Sequence, residues 1–217
     1  MKLKPSFDEE VVLWNRGLEY VAGIDEVGRG AFAGPLVTAA VIFPKDCRFS
    51  DQELYGINDS KLLTSKKRFQ LARKIKKEAL SFSIYEIPVS YINRYGIGRA
   101  AQYGFFNVVQ SLDRKPDFCL IDAFSIRKMR KQMQKPIIHG DSLSFSIAAA
   151  SIIAKVFRDY RMDELGFRYN QYNFSQNKGY GTADHRRALG KYGLCNMHRK
   201  SFNLSRYLPV PPILDKV

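Results

Sequence analysis

The chain has 217 residues, of which 35 are Lys or Arg and 21 are Asp or Glu, so its formal net charge at pH 7 is +14. Its hydrophobic content of 45% is enough to form a core and excludes an intrinsically disordered chain. The sequence has no signal-peptide core and no apolar run near the roughly 20 residues of a membrane span. Its cysteines show no disulfide or zinc pattern, so we expect a cytoplasmic protein.

Three strands are predicted in the first 90 residues. Residues 20–25 and 36–43 are rich in β-branched residues and bounded by Gly or Pro, while residues 81–87 alternate between polar and apolar. A short, Gly-rich connection at residues 28–34 joins the first two strands, as in an antiparallel hairpin. We therefore expect these strands to form a meander.

Two amphipathic helices are predicted around the third strand. Residues 66–80 have helical periodicity, a basic outer face, and Thr64 or Ser65 as a plausible N-cap. The second helix lies near residues 101–112. The predicted apolar faces consist of Phe69, Ala72, Ile75 and Ala79 in the first helix, and of Ala101, Phe105, Val108, Val109 and Leu112 in the second.

The second half of the chain adds two strands and a helix. Residues 118–121 form a continuous apolar run, typical of a central strand, and residues 137–138 are a shorter strand candidate. The order of the elements predicts an α/β fold with a mixed sheet and helices on its faces. The helix that follows presents a mostly small face made of Ile147, Ala150, Ser151, Ala154 and Phe157.

The charge balance indicates a polyanionic partner. A sequence pI of about 9.7 favours nucleic acid, although a basic surface can also serve solubility alone. Beyond about residue 165 the chain becomes aromatic, Gly-rich and basic. This composition is typical of a surface that grips a ligand, and it also suits ordinary packing of a C-terminal lobe.

Adjacent carboxylates stand at the end of the first strand. Asp25 and Glu26 precede a Gly28-Arg29-Gly30 turn. Neighbouring residues of a strand face opposite sides, so the two acids converge only if the strand ends or bulges there. The alternative is a hairpin whose acids are merely solvated.

Two further acids follow two other predicted strands. Asp122 ends the apolar run at residues 118–121, and Asp141 follows the strand candidate at residues 137–138. Taken singly, Asp122 could be a turn residue and Asp141 a helix N-cap. Acids at the ends of three strands would instead meet at one edge of the sheet, where ligand sites form.

The chemistry of these four acids favours a hard metal ion. Carboxylate oxygens without His or Cys partners suit Mg²⁺ or Mn²⁺ better than Zn²⁺. An anionic pocket on a strongly basic protein is typical of metal-assisted attack on a phosphodiester, in which basic residues hold the phosphates.

An ordered set of short motifs covers roughly residues 20–205. Together these motifs resemble the bacterial type of ribonuclease HII, a family of the ribonuclease H-like superfamily. Each motif alone is weak, whereas the ordered set is specific. The motifs are residues 23–30, 58–61, 120–122, 140–142, 149–156, 178–182 and 199–202.

The resemblance implies a five-stranded mixed sheet flanked by helices, with a C-terminal helical segment. Residues 1–165 would form the catalytic core, and residues 166–217 a substrate-gripping segment of the same domain. The implied activity is hydrolysis of the RNA strand of RNA–DNA hybrids and cutting 5′ of single ribonucleotides embedded in duplex DNA, which leaves 5′-phosphate and 3′-hydroxyl ends. We expect these nucleic acids as partners, no membrane association and a monomer.

The resemblance also implies roles for single residues. The Gly-Arg-Gly turn would contact the ribose 2′-OH through its backbone, and Tyr180 would stack on the deoxyribose after the ribonucleotide. Ser60 and Lys61 would bind substrate. The implied catalytic residues, which also hold Mn²⁺ or Mg²⁺, are Asp25, Glu26, Asp122 and Asp141; the implied ribose-contacting residues are Gly28, Arg29 and Gly30.

The chain departs from the usual family pattern at three positions. Gly181 replaces a Pro and gives the Tyr180 loop more freedom, His139 replaces a Lys, and Ala123 replaces a Gly. Arg29 separates the chain from ribonuclease HIII, which has another residue between the two glycines. Two other functions remain open: a junction resolvase or transposase core, and a basic RNA-binding module with structural acids.

Several charged residues have two possible roles. Lys155, Arg158 and Asp159 could contact phosphate or form a solvated, self-paired helix end. His185 and His198 have no companions at metal-ligand spacing, so they are predicted to be surface or packed histidines. The lysines and arginines near residues 61–77 could track phosphates or simply be solvated.

Overall fold

The sheet is mixed, as predicted. A computed structural model describes residues 5–47 and 64–209. One sheet has the order β3-β2-β1-β4-β5, in which β1 pairs antiparallel with β2 and parallel with β4. Strand β3 pairs antiparallel with β2, which confirms the meander, and β5 is parallel to β4. The strands are β1 (Val21–Val27), β2 (Leu36–Ile42), β3 (Ser81–Ile87), β4 (Phe118–Asp122) and β5 (Gln134–Ile137).

Helices cover both faces of the sheet. The two amphipathic helices and the long helix after β5 were predicted, whereas the seven-residue helices α1 and α3 have too few turns to show a period. No helix in the described ranges is long and apolar enough to cross a membrane. The helices are α1 (Asp8–Trp14), α2 (Ser65–Glu78), α3 (Val89–Tyr95), α4 (Ile97–Gln110), α5 (Phe145–Arg168), α6 (Phe174–Asn177) and α7 (Ala183–Tyr192).

Helix α2 confirms its predicted cap but not its whole predicted face. The Thr64 hydroxyl accepts a hydrogen bond from the Lys67 amide at 3.3 Å. Leu71, Ala72 and Ile75 are buried, whereas Phe69 is 55% exposed. The assignment of Phe69 to the apolar face was wrong because the core contacts a stripe that is rotated towards Leu71.

Strand β5 begins earlier than predicted. It spans Gln134–Ile137, and Ile138, which was assigned to the strand, is 73% exposed. The pattern is hidden because the buried residue at the start of the strand is polar. The Gln134 side chain accepts from the Ile126 amide at 2.7 Å and donates to the Met129 carbonyl at 2.9 Å, so it is satisfied without water.

Helix α5 lies unusually close to β1. A Cβ built on Gly23 would lie 2.1 Å from the Ser146 carbonyl carbon, so only glycine permits this contact. The small residues Ala149, Ala150 and Ala154 are all buried, as the predicted small face requires. On the other face, Ile24 packs with residues of α4.

The start of α5 is fixed by the N-terminal helix. Glu10 is buried, and its Oε1 accepts hydrogen bonds from the Ser146 amide at 2.9 Å and from the Ser144 hydroxyl at 2.7 Å. A carboxylate at this position also interacts favourably with the positive end of the helix dipole. Burial nevertheless raises the pKa of Glu10.

The C-terminal residues form a lobe that contains two fully buried histidines, His185 and His198. Their Nε2 atoms are 3.0 Å apart. The Cys195 amide donates to His198 Nδ1 at 2.8 Å, and His185 Nδ1 lies 2.9 Å from the Tyr180 carbonyl oxygen. An amide only donates and a carbonyl only accepts, so His198 carries its proton on Nε2 and His185 on Nδ1. The prediction of packed histidines is confirmed.

This histidine pair makes the stability of the lobe pH-dependent. Burial, and secondarily repulsion from His185, lowers the pKa of His198 to about 4, below the ordinary value of 6.5. Protons therefore bind the unfolded chain preferentially, and stability is lost as the pH falls below about 6.5. Between pH 7 and 5 the loss should be on the order of 1–2 kcal/mol.

The check is chemical denaturation of wild type and His198→Gln across this pH range. The difference in unfolding free energy between them should shrink towards pH 5, since the pH dependence of groups away from the histidine pair cancels. A constant difference would contradict the assignment of neutral, mutually bonded imidazoles.

Ala123 follows β4 in the left-handed region, with φ of 59°. This conformation costs an alanine about 1–2 kcal/mol, so Ala123→Gly should raise the unfolding free energy by about 1 kcal/mol. The matched control is Ala183→Gly at the exposed start of α7, which should instead lower it by about 0.5 kcal/mol. Thermal or urea unfolding measures both, and equal signs would contradict the argument.

Candidate active site

The central parallel pair of strands brings two acids side by side. Ile24 of β1 is in register with Ile121 of β4, so Asp25 and Asp122 occupy the next positions of adjacent strands. The ladder between β1 and β2 continues without a bulge through Val27. The end or bulge that convergence of Asp25 and Glu26 was expected to require is therefore absent at these two residues; the Glu26 side chain still lies near enough to repel Asp25 and Asp122.

Asp25 is buried and held by two donors. Its Oδ1 accepts from the Glu26 amide at 2.7 Å, and the Ser151 hydroxyl of α5 supplies a further hydrogen bond. Burial, followed by the negative charges of Glu26 and Asp122, raises the pKa of Asp25 well above its ordinary value. The periodicity analysis assigned Ser151 only to a packing face, although it lies within the motif at residues 149–156.

Glu26 combines one paired and one unpaired oxygen. Arg29 donates to its Oε1 at 3.2 Å, while Oε2 is buried without a hydrogen-bond partner in the described part of the chain. Burial outweighs the attraction of Arg29 and raises the pKa of Glu26 to about 7. The Arg29 guanidinium also lies 4.5 Å from the ring centre of the exposed Phe124, a contact that crosses from β1 to β4 and that the sequence did not reveal.

Asp141 lies in the turn that contacts Asp122. The Gly140 amide donates to Asp122 Oδ1 at 2.7 Å, and Asp141 follows within the 3₁₀ turn Gly140–Ser142. The N-cap of α5 is Ser144, so the alternative that Asp141 caps this helix is wrong. The turn brings the third strand end to the same edge of the sheet.

The donor set fits a hard divalent cation. Within residues 5–47 and 64–209, no three His, Cys, Asp or Glu side chains are already close enough to hold a metal ion. However, Asp25, Glu26 and Asp122 repel one another, and the buried Oε2 of Glu26 has no donor. A cation bound between these oxygens would relieve the repulsion and satisfy that oxygen.

The Gly-Arg-Gly turn has its backbone exposed on one side only. Gly28 has φ of +97°, and a Cβ there would lie 2.1 Å from Arg158 Nε, so both conformation and space require glycine. Gly30, by contrast, is exposed and faces open space. A ligand can therefore approach the backbone at Gly30.

The Tyr180 loop lies directly beside this turn. The Gly179 carbonyl accepts from the Phe32 amide at 2.8 Å and from the Ala33 amide at 3.1 Å. A Cβ on Gly181 would lie 2.3 Å from the Phe32 ring, so Gly181 provides the space in which that ring packs. The expected freedom of a glycine at 181 is thus restricted by Phe32.

The structure places the remaining candidate residues in three different situations. Ser60 and Lys61 lie outside the described residues. Lys155 pairs with Asp159 at 2.7 Å, which confirms their self-pairing, but the pair lies in the middle of α5 and not at a helix end. Arg158 does neither of the things expected, because it is fully buried.

A family model and curated relatives match most of the chain. The family model "Ribonuclease HII" matches residues 22–205. The ribonuclease HII of Syntrophomonas wolfei is 45% identical over 193 residues, which cover 89% of this chain and 73% of that protein.

Two solved structures share the fold. The ribonuclease H2 of Pyrococcus horikoshii has a TM-score of 0.71 at 23% identity and covers 86% of this chain and 95% of its own. Bst-RNase HIII in complex with Mn²⁺ has a TM-score of 0.67 at 19% identity, with coverages of 87% and 68%. With the family model matching most of the sequence and a curated relative at 45% identity, the chain belongs to the ribonuclease HII family.

Proposed function

We propose that Asp25, Glu26, Asp122 and Asp141 are the catalytic residues of this chain and hold its metal. As a ribonuclease HII, the chain is a metal-dependent endoribonuclease that cleaves RNA in RNA–DNA hybrids and at embedded ribonucleotides. The observation that carries the assignment is the adjacency of Asp25 and Asp122 on parallel strands, next to the unpaired Oε2 of Glu26. Family membership also disfavours the resolvase, transposase and non-catalytic alternatives.

The metal is Mn²⁺ or Mg²⁺. Mn²⁺ is present in the related Bst-RNase HIII, and both ions prefer carboxylate oxygens. When bound, the ion supplies a Lewis acid that polarises the scissile phosphate. The chain contributes the orientation of its ligands, since Ser151 holds Asp25, Arg29 holds Glu26, and the Gly140 amide holds Asp122.

The reaction is hydrolysis on the 5′ side of a ribonucleotide. Water attacks the phosphorus in line, the bond from phosphorus to the 3′ oxygen breaks, and the leaving oxygen takes up a proton. The products are a 3′-hydroxyl and a 5′-phosphate. The mutually repelling acids form a negative cluster that a cation would bridge to the scissile phosphate, on a protein whose net charge of +14 attracts the duplex.

Substrate selection uses the two neighbouring loops. The exposed backbone at Gly30, within the turn of Gly28, Arg29 and Gly30, contacts the ribose 2′-OH, the group that separates RNA from DNA. Tyr180 stacks on the deoxyribose that follows. The segment at residues 166–217 grips the duplex beside the core at residues 1–165, and the protein acts as a cytoplasmic monomer.

Removing one acid should abolish cleavage without unfolding the protein. Asp122→Asn keeps the size of the side chain but removes a charged ligand, so kcat on a duplex with one ribonucleotide should fall at least about 10³-fold with Mn²⁺ or Mg²⁺. The melting temperature should stay equal or rise, because like-charge repulsion is relieved.

Asp113→Asn, a change at an exposed turn, is the matched control and should keep wild-type turnover. Calorimetric titration with Mn²⁺ should show weakened binding only for Asp122→Asn. Near-wild-type turnover of that variant would refute the site.

Tyr180 should matter more at a junction than on a hybrid. Because most duplex affinity comes from phosphate contacts, Tyr180→Ala should lower cleavage of a single embedded ribonucleotide by roughly 10-fold or more while leaving duplex affinity within about threefold. The comparison uses cleavage rates on that duplex and on an all-RNA–DNA hybrid, each normalised to folded protein. Equal losses on both substrates would mean that Tyr180 only packs the lobe.

A further inference from the structure

Arg158 is a buried arginine whose partners are backbone carbonyls. It is 0% exposed, and its guanidinium donates to the Pro35 oxygen at 3.0 Å, the Lys178 oxygen at 2.9 Å and the Ala33 oxygen at 3.2 Å. No salt bridge joins it to a carboxylate among the residues that the structure describes. A buried guanidinium is costly, so this planar fork must satisfy a requirement that an apolar side chain would not.

The same side chain touches both loops to which substrate selection is assigned. The Nε and Cδ of Arg158 fill the space beside Gly28, where a Cβ would meet them at 2.1 and 2.7 Å. On its other side, the guanidinium carbon lies 5.3 Å from the ring centre of Tyr180, within cation–π range. Arg158 therefore lies between the turn that faces the ribose and the ring that faces the following sugar.

Its hydrogen bonds cross between the same two segments. Two go to the segment between the turn and β2, at Ala33 and Pro35. The third goes to Lys178, two residues before Tyr180. If either loop moved alone, at least one donor of a buried cation would lose its acceptor. The guanidinium thus penalises independent motion of the two loops.

A second buried arginine supports one side of this arrangement. Arg199 is also 0% exposed and donates to the Arg29 oxygen at 2.9 Å, the Gly34 oxygen at 3.0 Å and the Pro35 oxygen at 3.1 Å. It fixes the turn but has no hydrogen bond to the Tyr180 loop. This leaves Arg158 as the arginine that bonds to both.

We propose that Arg158 is a positioning residue that couples the Gly28–Gly30 turn to Tyr180, so that the ribose and the sugar after it are recognised as one unit. This inference rests on the proposed roles of the turn and of Tyr180. It implies that Tyr180 contributes to cleavage only while Arg158 holds it in register with the turn.

The test is a double-mutant cycle of Arg158→Lys and Tyr180→Ala, with kcat and KM measured on a duplex that contains one ribonucleotide. Lysine keeps the charge but cannot bond to three carbonyls or stack as a plane. In the wild-type background, Tyr180→Ala should lower kcat/KM by roughly 10-fold; in the Arg158→Lys background, the further loss should be less than about threefold. An equal loss in both backgrounds would overturn the coupling.

Arg161→Lys is the matched control on the same helix. Arg161 is partly exposed and pairs with Glu86 at 2.8 Å. Its replacement by lysine therefore changes the shape of a cationic side chain on α5 at a place away from both loops. In that background the effect of Tyr180→Ala should equal the wild-type effect. A shrunken effect there too would show that any change on α5 disturbs Tyr180, and would reject a specific role of Arg158.

A measurement on the wild-type protein covers the case in which Arg158→Lys does not fold. Amide hydrogen exchange should give the same opening free energy for residues 28–34 and 178–182, because Arg158 bonds to both segments in addition to the direct bonds from the Phe32 and Ala33 amides to Gly179. Clearly different values would overturn the proposal. If instead Tyr180→Ala lowers cleavage of hybrid and single-ribonucleotide substrates equally, the proposed junction role of Tyr180 fails, and this inference is overturned with it.

Discussion

The contact between β1 and α5 at Gly23 is the constraint on which the rest of the site depends. It brings the backbone of a helix against the backbone of a strand, at a distance that any side chain would prevent. Once seated there, α5 delivers Ser151 to Asp25 and, two turns later, Arg158 to Gly28. A single close approach thus sets the positions of acids, turn and lobe together.

Electrostatics opposes this arrangement of acids. The parallel pairing of β1 and β4 places Asp25 beside Asp122, and both desolvation and repulsion between the acids disfavour the charged forms of Asp25 and Glu26. The fold tolerates this because the hydrophobic contacts of both sheet faces hold the strands. The strain is local and lies at the proposed metal site, which is typical of a functional site.

Buried polar groups, rather than an apolar core alone, determine the shape of the loops around the site. Four polar side chains are fully buried: Arg158, Arg199, His185 and His198. The two arginines donate to backbone carbonyls, and the two histidines bond to each other and to the backbone. Apolar contacts are not directional and could not fix a loop to a few tenths of an ångström. Hydrogen bonds from rigid planar groups can, since leaving any one of them unmade inside the protein is costly.

The sequence by itself determined the sheet and most of the acids' placement. Alternation and β-branched runs located four strands, and helical periodicity located α2, α4 and α5, because burial of one face imposes a short-range period. A fifth strand was predicted at residues 137–138, but its true start at Gln134 was missed, because Gln134 is buried through hydrogen bonds that no periodicity encodes. The ordered motifs then indicated the ribonuclease HII family, whose model match confirmed it.

Only the tertiary structure decided how distant residues meet. The sequence around Arg158 had the pattern of a solvated helix end, yet the side chain is buried. One of the segments that bury it contains Pro35, which is 123 positions away in the chain. Likewise, β1 runs past Asp25 and Glu26 without a bulge, and Phe124, which follows β4, contacts Arg29, which follows the neighbouring β1. A periodic pattern reports which face of an element is buried, but not which group covers it, and that partner is set by the packing of the whole chain.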